Sequence, residues 1–324
     1  MAIHLIMKAI VTGAGGQLGS CIRDVVKAYG REEDFAFLTS EELDITDFNM
    51  VEAAFGLYKP DVVINCAAYT DVVKAETDPL KAMLVNSNAL VILVNMCSKH
   101  DASIIHVSTD FVFDGLSSVP YTELDNPNPL TQYGKSKYLG ELSVLYYPKG
   151  MVVRTSWLYS EYGSKYKGDD GHKPNFFTKV MDSLKFYNEM NMLNDRFGSP
   201  TYARDLALAL VSAAYQLESG GKYGLYHYSN SGSCSFYDFA ATMESLVTVF
   251  SKYEPMRQDK GFYVELSATY NYIKPITLKE YSYDKIDRPK YSALDSTKFA
   301  ATFNVPARHW SRALIDCYRA YEKL

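Results

Sequence analysis

Lys8-Ala-Ile-Val-Thr-Gly-Ala-Gly-Gly-Gln-Leu-Gly19 decides how the rest of the chain is read. The short apolar run 8–11 reads as a strand and the glycines after it as a tight turn. Residues 17–29 then place Leu18, Cys21, Ile22, Val25 and Val26 at helical spacing. Gly13, Gly16 and Gly19 recur as Gly-x-x-Gly-x-x-Gly between strand and helix, where the chain can turn tightly and a helix N-terminus can approach a pyrophosphate. Glycines also serve strand-to-helix turns that hold no ligand. Position in the first βα unit, more than spacing, therefore carries the expectation of a nucleotide site.

The same alternation continues outward. Runs 35–38, 62–65, 103–108 and 151–155 are β-rich, and stretches such as 47–58 and 79–99 between them are helical. The near-continuous apolar character of Asp61-Val-Val-Ile-Asn65 and Ser103-Ile-Ile-His-Val107 suits parallel strands buried on both faces. The expectation is an α/β fold: a doubly wound parallel sheet of Rossmann type, mainly residues 7–157, and a smaller C-terminal substrate-binding lobe, mainly 158–324, with the chain crossing between them. In the second part, the polar stretch 160–174 reads as a loop, and helical periodicity returns at 175–188, 203–217 and 236–249. These helices read as the smaller lobe, the last with Ser233 and Ser235 as candidate N-caps. Segment 253–283 is rich in tyrosine (Tyr263, Tyr270, Tyr272, Tyr281, Tyr283) and reads as a surface elaboration with half-buried rings or as a substrate lid.

Composition removes several classes of function. With 324 residues, 47% hydrophobic and 22% charged, the chain can bury a sizeable core as one large or two modest domains. A net charge of −5 leaves no basic face for a nucleic-acid backbone, so no nucleic-acid partner is expected. The longest apolar stretch, 90–97, is interrupted by Asn95 and falls short of the ~20 residues that span a bilayer, so no transmembrane helix is expected. Residues 1–6 read as an extension ahead of Met7 and not as a signal peptide, which makes the expected location cytoplasmic. Five widely spaced cysteines read as reduced packing residues, and six histidines without ligand spacing give no metal site.

Chemistry is concentrated at three places. At the end of the second strand the acid that would bind an NAD ribose is missing: Thr39 and Ser40 come first and only then Glu41, which leaves NADP open beside NAD. Asp44 and Ile45 follow a further turn, where a carboxylate and an apolar side chain could meet adenine; alternatively Asp44 or Thr46 caps the next helix. Tyr133-Gly-Lys-Ser-Lys137 sets a phenol and an ammonium one helical turn apart, so that the charge should lower the phenol pKa and make it a proton donor and acceptor near neutrality. The pattern recurs at Tyr270/Lys274 and Tyr281/Lys285 among 27 tyrosines, so context must choose. Tyr133 opens a helix after Pro127-Asn-Pro129 and follows His106-Val-Ser-Thr-Asp110, whose hydroxyls end a central strand at the edge where such sheets bind ligands.

Taken together these blocks resemble the extended short-chain dehydrogenase/reductase superfamily and, within it, the dTDP-4-dehydrorhamnose reductase family. The resemblance runs from Lys8 to about Phe303 and includes Pro60-Asp-Val-Val-Ile-Asn-Cys-Ala-Ala-Tyr-Thr70, Ser108-Thr-Asp-Phe-Val-Phe-Asp-Gly115, Arg154-Thr-Ser-Trp157, Phe197-Gly-Ser-Pro-Thr201 and Arg288-Pro-Lys-Tyr-Ser-Ala-Leu-Asp295. It implies an NADPH- or NADH-dependent reductase of a nucleotide-linked 4-keto-6-deoxysugar, acting on dTDP-4-keto-L-rhamnose. By it, Tyr133 is the proton donor to the sugar's C4 oxygen, Lys137 holds the cofactor ribose and lowers the tyrosine pKa, and Thr109 hydrogen-bonds the reacting oxygen. Asp110 lies close to the sugar, and Trp157 packs at its pocket. Gly16, Gln17 and Leu18 lie on the pyrophosphate with Gly13 and Gly19, Asp44 and Ile45 on the adenine, and Ala67, Ala68 and Tyr69 along the nicotinamide half. Asn86 supports that wall or only ties neighbouring strands together. No metal is carried over, and a homodimer is left open. Two rivals stand beside this reading: a noncatalytic NADP-binding regulatory subunit, as in the methionine adenosyltransferase β-subunit branch, and a reductase or epimerase of another nucleotide sugar. Val73, Phe111 and Arg196 depart from the family pattern, and stretches 160–174 and 253–283 are insertions beside the expected sugar pocket.

Overall fold

Five short strands are apolar on both faces and are covered on both: β1 (Ala9–Thr12), β2 (Phe35–Leu38), β3 (Val62–Asn65), β4 (Ser103–Thr109) and β5 (Gly150–Thr155). The computed structural model describes residues 7–163, 172–218, 220–253, 272–281 and 286–324. It adds a sixth strand, Gly224–His227, that the sequence reading did not contain, and the sheet runs in the order Gly224–His227, β5, β4, β3, β1, β2. Every neighbouring pair is parallel. The chain leaves β1 in one direction to form β2 and returns on its other side to form β3. The C-terminal ends of β1 and β3 therefore flank a crevice at a topological switch point.

One face of the sheet is covered by α1 (Gln17–Ala28), through Cys21, Ile22 and Val26, and by the helix Ala203–Glu218, through Leu206, Leu210 and Ala213. The second of these helices thus packs on the parallel sheet and not in the small lobe to which its periodicity had assigned it. The other face is covered by Val51 and Phe55 of α2 (Phe48–Tyr58) and by Leu90, Leu93 and Met96 of the helix Pro79–His100. That helix, at 22 residues, is long and apolar enough to cross a bilayer by length and composition alone, more than the run 90–97 suggested. Leu90, Leu93 and Met96 instead lie against the sheet, as the inner face of a core helix does. α2 is capped by Asp47, whose carboxylate accepts the N–H groups of Asn49 and Met50; Asp44 turns back onto the Thr46 N–H and hydroxyl. Neither expected cap, Asp44 or Thr46, fills that role.

A separate apolar cluster builds the small lobe from Phe177, Met181, Phe239, Met243, Trp310, Leu314 and Tyr321. Its helix Phe236–Tyr253 is capped by Ser235, whose hydroxyl accepts the Asp238 N–H at 3.0 Å. The five cysteines are free thiols. Most of the tyrosine-rich segment, with Tyr263 and Tyr270, lies outside the described residues, as do Tyr283 and Lys285. Within its described part, 272–281, the strand Tyr272–Ile276 pairs in parallel with Glu189–Leu193.

His227 gives the fold a pH dependence. It is fully buried, with Nδ1 3.1 Å from the Tyr121 carbonyl oxygen and Nε2 3.5 Å from Arg154. Burial, and then the Arg154 charge, push its pKa down to about 3. The unfolded chain binds this proton near pH 6.5 and the folded chain does not, so the stability present above 6.5 is lost as pH falls toward 3. At pH 5 the loss from this residue should be about 2 kcal/mol. Urea unfolding measured between pH 7 and 5 should show this slope, and His227→Gln should reduce it by this residue's share, leaving that of any other buried histidine; an equal slope in the variant would contradict the assignment.

Candidate active site

Gly13 has φ +64°, and a Cβ there would lie 2.7 Å from the Ala67 nitrogen and 2.8 Å from its Cα, so only glycine lets the turn after β1 touch the turn after β3. That contact closes the floor of the crevice. Above it, α1 begins at Gly16, with no side chain capping its first turn and no acidic residue within it, so its orphan N–H groups suit an anion. Gln17, Leu18 and Gly19 form this turn. Leu18 and Gly19 are buried, and the Gln17 side chain is already engaged, donating to the Leu158 carbonyl and accepting from Ser160. Of the expected adenine pair, Asp44 is exposed, whereas Ile45 is buried among Leu38 and Leu43 beneath the rim. Ala67, Ala68 and Tyr69 are half-buried along the turn after β3. Asn86 holds Tyr69 from both sides, accepting its N–H at 2.8 Å and donating to its carbonyl at 3.0 Å, and donates also to Ser136. It sits in a π-turn, Leu84–Asn88, and ties this wall to the next helix.

That helix, Gln132–Tyr146, is capped by Thr131, whose hydroxyl accepts the Gly134 N–H. Its spacing puts Tyr133, Lys137 and Glu141, all buried, on one face toward the sheet. Close approach is allowed by Gly140, where a Cβ would fall 2.0 Å from the Asn86 carbonyl oxygen. The Tyr133 phenol meets the Thr109 hydroxyl at the end of β4, and its ring lies edge-on to Phe111 at 5.6 Å. Phe111, a departure from the family pattern, thus acts as an apolar wall for the phenol. Burial pushes the Tyr133 pKa up to about 12, the Thr109 hydrogen bond pulling down and the Asp110 charge adding to the rise. Burial thus outweighs the expected lowering by Lys137, and the net shift is upward. The phenol is protonated at neutral pH, the state a proton donor requires.

Lys137 is turned inward. Its ammonium donates to the Val107 carbonyl at 2.7 Å and lies 3.1 Å from His106 Nε2. His106 Nδ1 lies 2.9 Å from Asn65 Nδ2, and Asn65 Oδ1 lies 2.5 Å from the Thr12 hydroxyl. The sheet register creates this row, because Thr12 stands opposite Asn65 and Asn65 opposite His106. Burial, and then the Lys137 charge, hold His106 neutral, well below its usual pKa. Burial also lowers Lys137 to about 8, with Glu141 and Cys66 opposing. Glu141 is itself clamped by Arg154, at 2.9 and 2.7 Å, and by Ser108. Removing one member of such a buried pair costs about 3–5 kcal/mol.

The expected substrate residues divide. Thr109 faces the phenol, but the Asp110 carboxylate is 2% exposed and accepts from Ser156 at 2.9 Å and Ser292 at 2.5 Å, so here it fastens three chain segments together. Trp157 is half-buried, in the left-handed region at φ 45°, with its ring stacked on Phe236 at 3.8 Å and backed by Gly198. A bulky side chain held in that conformation stores strain of about 1–3 kcal/mol, as functional positions often do. Phe197 exchanges backbone hydrogen bonds with Lys290 and Ser292, which explains why those two distant blocks occur together. Arg196 pairs with Asp195, and Val73 is exposed. The flanks of the 160–174 loop dock on α1, Tyr162 donating to Asp24 and Ser20 meeting His172; residues 164–171 lie outside the described part. Sequence reasoning missed Asn65 and His106 as site residues. The available signal was their polarity inside otherwise apolar buried strands, where each must find a partner.

A family model described as the RmlD substrate binding domain matches residues 7–323. The chain is 36% identical over 317 residues to a dTDP-4-dehydrorhamnose reductase of Aggregatibacter actinomycetemcomitans, covering 97% of this chain and 99% of the relative. It is similar to the crystal structure of a dTDP-4-dehydrorhamnose reductase from Clostridium acetobutylicum, with a TM-score of 0.82 and 32% identity over 98% of this chain and 100% of that one. A Bacillus anthracis dTDP-4-dehydrorhamnose reductase in complex with NADP gives a TM-score of 0.82 at 28% identity, covering 97% and 99% of the two chains. With a glycine cradle, a tyrosine and a lysine converging on one sheet edge, and a match over nearly its whole length, the chain belongs to the RmlD family of dTDP-4-dehydrorhamnose reductases.

Proposed function

We infer that the protein reduces the C4 ketone of dTDP-4-dehydro-6-deoxy-L-mannose (dTDP-4-keto-L-rhamnose) to dTDP-L-rhamnose, using NADPH or NADH. The observation that carries this is the meeting of Tyr133 and Thr109 above buried Lys137, beside the uncapped N-terminus of α1. Residues mainly in 7–157 hold the cofactor and those mainly in 158–324 form the sugar lobe. When bound, the nicotinamide supplies a hydride. Gly13 and Gly16 keep the cradle open, and the N–H groups of Gln17, Leu18 and Gly19 would hold the pyrophosphate. Asp44 and Ile45 would hold the adenine, and Ala67, Ala68 and Tyr69 would hold the nicotinamide half. Thr109 orients the sugar's C4 oxygen, and Tyr133 gives it a proton. The Lys137 ammonium then stabilises the phenolate left behind. Trp157 borders the sugar, while Asp110 shapes the pocket through its hydroxyl partners.

At the ribose end, Thr39 gives its N–H and hydroxyl to Glu42, and Arg23 of α1 stacks on Phe37 at 4.6 Å. That guanidinium favours a 2′-phosphate. A second copy of the chain is the protein partner this reading includes, because Leu80, Leu84 and Val91 of one helix and Leu139, Leu142 and Tyr146 of its neighbour are exposed. The reaction belongs in the cytoplasm.

Nicotinamide absorbance should fall when the protein meets dTDP-4-keto-L-rhamnose with NADPH, at least as fast as with NADH. Tyr133→Phe should lower turnover by at least about 100-fold with cofactor affinity retained. Turnover surviving in that variant would remove the phenol from the mechanism. Tight cofactor binding without turnover in the native chain would favour a regulatory subunit, and a strong preference for NADH would count against the role given to Arg23. In sedimentation equilibrium the protein should behave as a dimer; a monomer at micromolar concentration would contradict the second-copy assignment.

A further inference from the structure

The row Thr12, Asn65, His106, Lys137 can be hydrogen-bonded in two directions only. A neutral imidazole has one N–H and one lone pair. With Thr12 donating to Asn65 Oδ1 and Asn65 Nδ2 donating to His106 Nδ1, the imidazole proton sits on Nε2 and can be received only by an uncharged Lys137 amine. With the Asn65 amide turned about its last bond, every donor reverses. The ammonium donates to His106 Nε2, His106 Nδ1–H donates to Asn65 Oδ1, and Asn65 donates to Thr12. The distances of 2.5, 2.9 and 3.1 Å accommodate both directions, because each link joins two atoms that can exchange roles through an amide turn, a tautomer or a change of charge.

We propose that His106 and Asn65 are positioning residues for Lys137: the direction of their hydrogen bonds sets whether the lysine is an ammonium, and so whether it can support the phenolate of Tyr133. This rests on the reductase reading above. The groups facing Lys137 are few. Tyr133 and Glu141 flank it on its own helix, Cys66 approaches from the end of β3, and His106 lies beneath it on β4. Glu141 is occupied by Arg154 of β5 and Ser108 of β4, and burial keeps the Cys66 thiol protonated, pushed up to about 12. His106 is therefore the uncharged neighbour whose lone pair decides the matter. Loss of the lone pair disfavours the ammonium, whereas a fixed acceptor at position 65 favours it. Both variants lie deep in the sheet, yet their effects on the lysine are opposite in sign, which a purely structural role would not produce.

The test is the pH profile of kcat. In the native enzyme the alkaline limb should fall near 8, where Lys137 loses its proton. His106→Leu should move the limb toward acid by about one pH unit, with sugar KM little changed, and His106→Gln, which keeps an acceptor, should restore it. Asn65→Asp, which can only accept toward His106, should move the limb toward alkali. Limbs that stay in place in both His106→Leu and Asn65→Asp would overturn the proposal. A readout free of turnover, and of any variant's folding, is the nitrogen-15 NMR spectrum of His106 in the native chain. At pH 7 Nδ1 should carry the proton and Nε2 should not; the opposite tautomer at pH 7 would overturn the proposal. A native chain that reduced no sugar would sink the reductase reading and leave the tautomer result standing on its own.

Discussion

An ammonium sealed beneath the edge of a parallel sheet, with Lys137 only 2% exposed, governs what surrounds it. Taking such a charge out of water costs several kcal/mol unless hydrogen bonds replace its hydration. Val107 offers a backbone carbonyl, and His106 offers a ring. A ring buried at that depth needs a partner of its own, so Asn65 stands opposite it on β3, and Thr12 stands opposite Asn65 on β1. A need at one helix residue is thus met by polar side chains on three strands, and the last of them directly precedes the glycine turn. The Lys137 side of the crevice and its glycine-turn side are thus physically continuous.

A second set of interactions fixes the helix itself. Glu141, two turns beyond Tyr133, is locked to Arg154, and Gly140 lets the helix close onto the Asn86 carbonyl. Asn86 in turn grips the backbone of Tyr69. The phenol position is therefore determined from below by β5, from the side by the π-turn and from the front by Thr109. Asp110 extends this outward, binding Ser156 and Ser292 and so drawing the small lobe's late segment against the strand ends.

Much of this was legible before any coordinates. The strand-glycine-helix opening, five of the six sheet strands and the helix bearing Tyr133 follow from period and turn chemistry, and the motif blocks pointed to the family. Two kinds of feature were not legible. The strand Gly224–His227 is short and flanked by polar residues, and joins the sheet only because β5 offers a free edge; that is a long-range fact with no local signature. The helix Ala203–Glu218 has the same periodicity whichever core it faces, so its assignment to the small lobe failed. In the site, Tyr133 and Lys137 were visible as a spacing, but the inward turn of the lysine and the engagement of Asp110 depend on partners more than 25 residues away along the chain. Asp44 shows the local version of the problem: Asp44 and Asp47 suit a cap equally by residue type, and only backbone geometry selects Asp47.

The central claim is that this crevice delivers hydride and proton to one carbonyl, and the most direct measurement follows the label. With NADPH deuterated at the nicotinamide C4 position and dTDP-4-keto-L-rhamnose in a single turnover, the dTDP-sugar product should carry deuterium at C4, and Tyr133→Phe should yield almost none of that product. Product formed without deuterium at C4, or labelled product formed equally well by Tyr133→Phe, would contradict the claim.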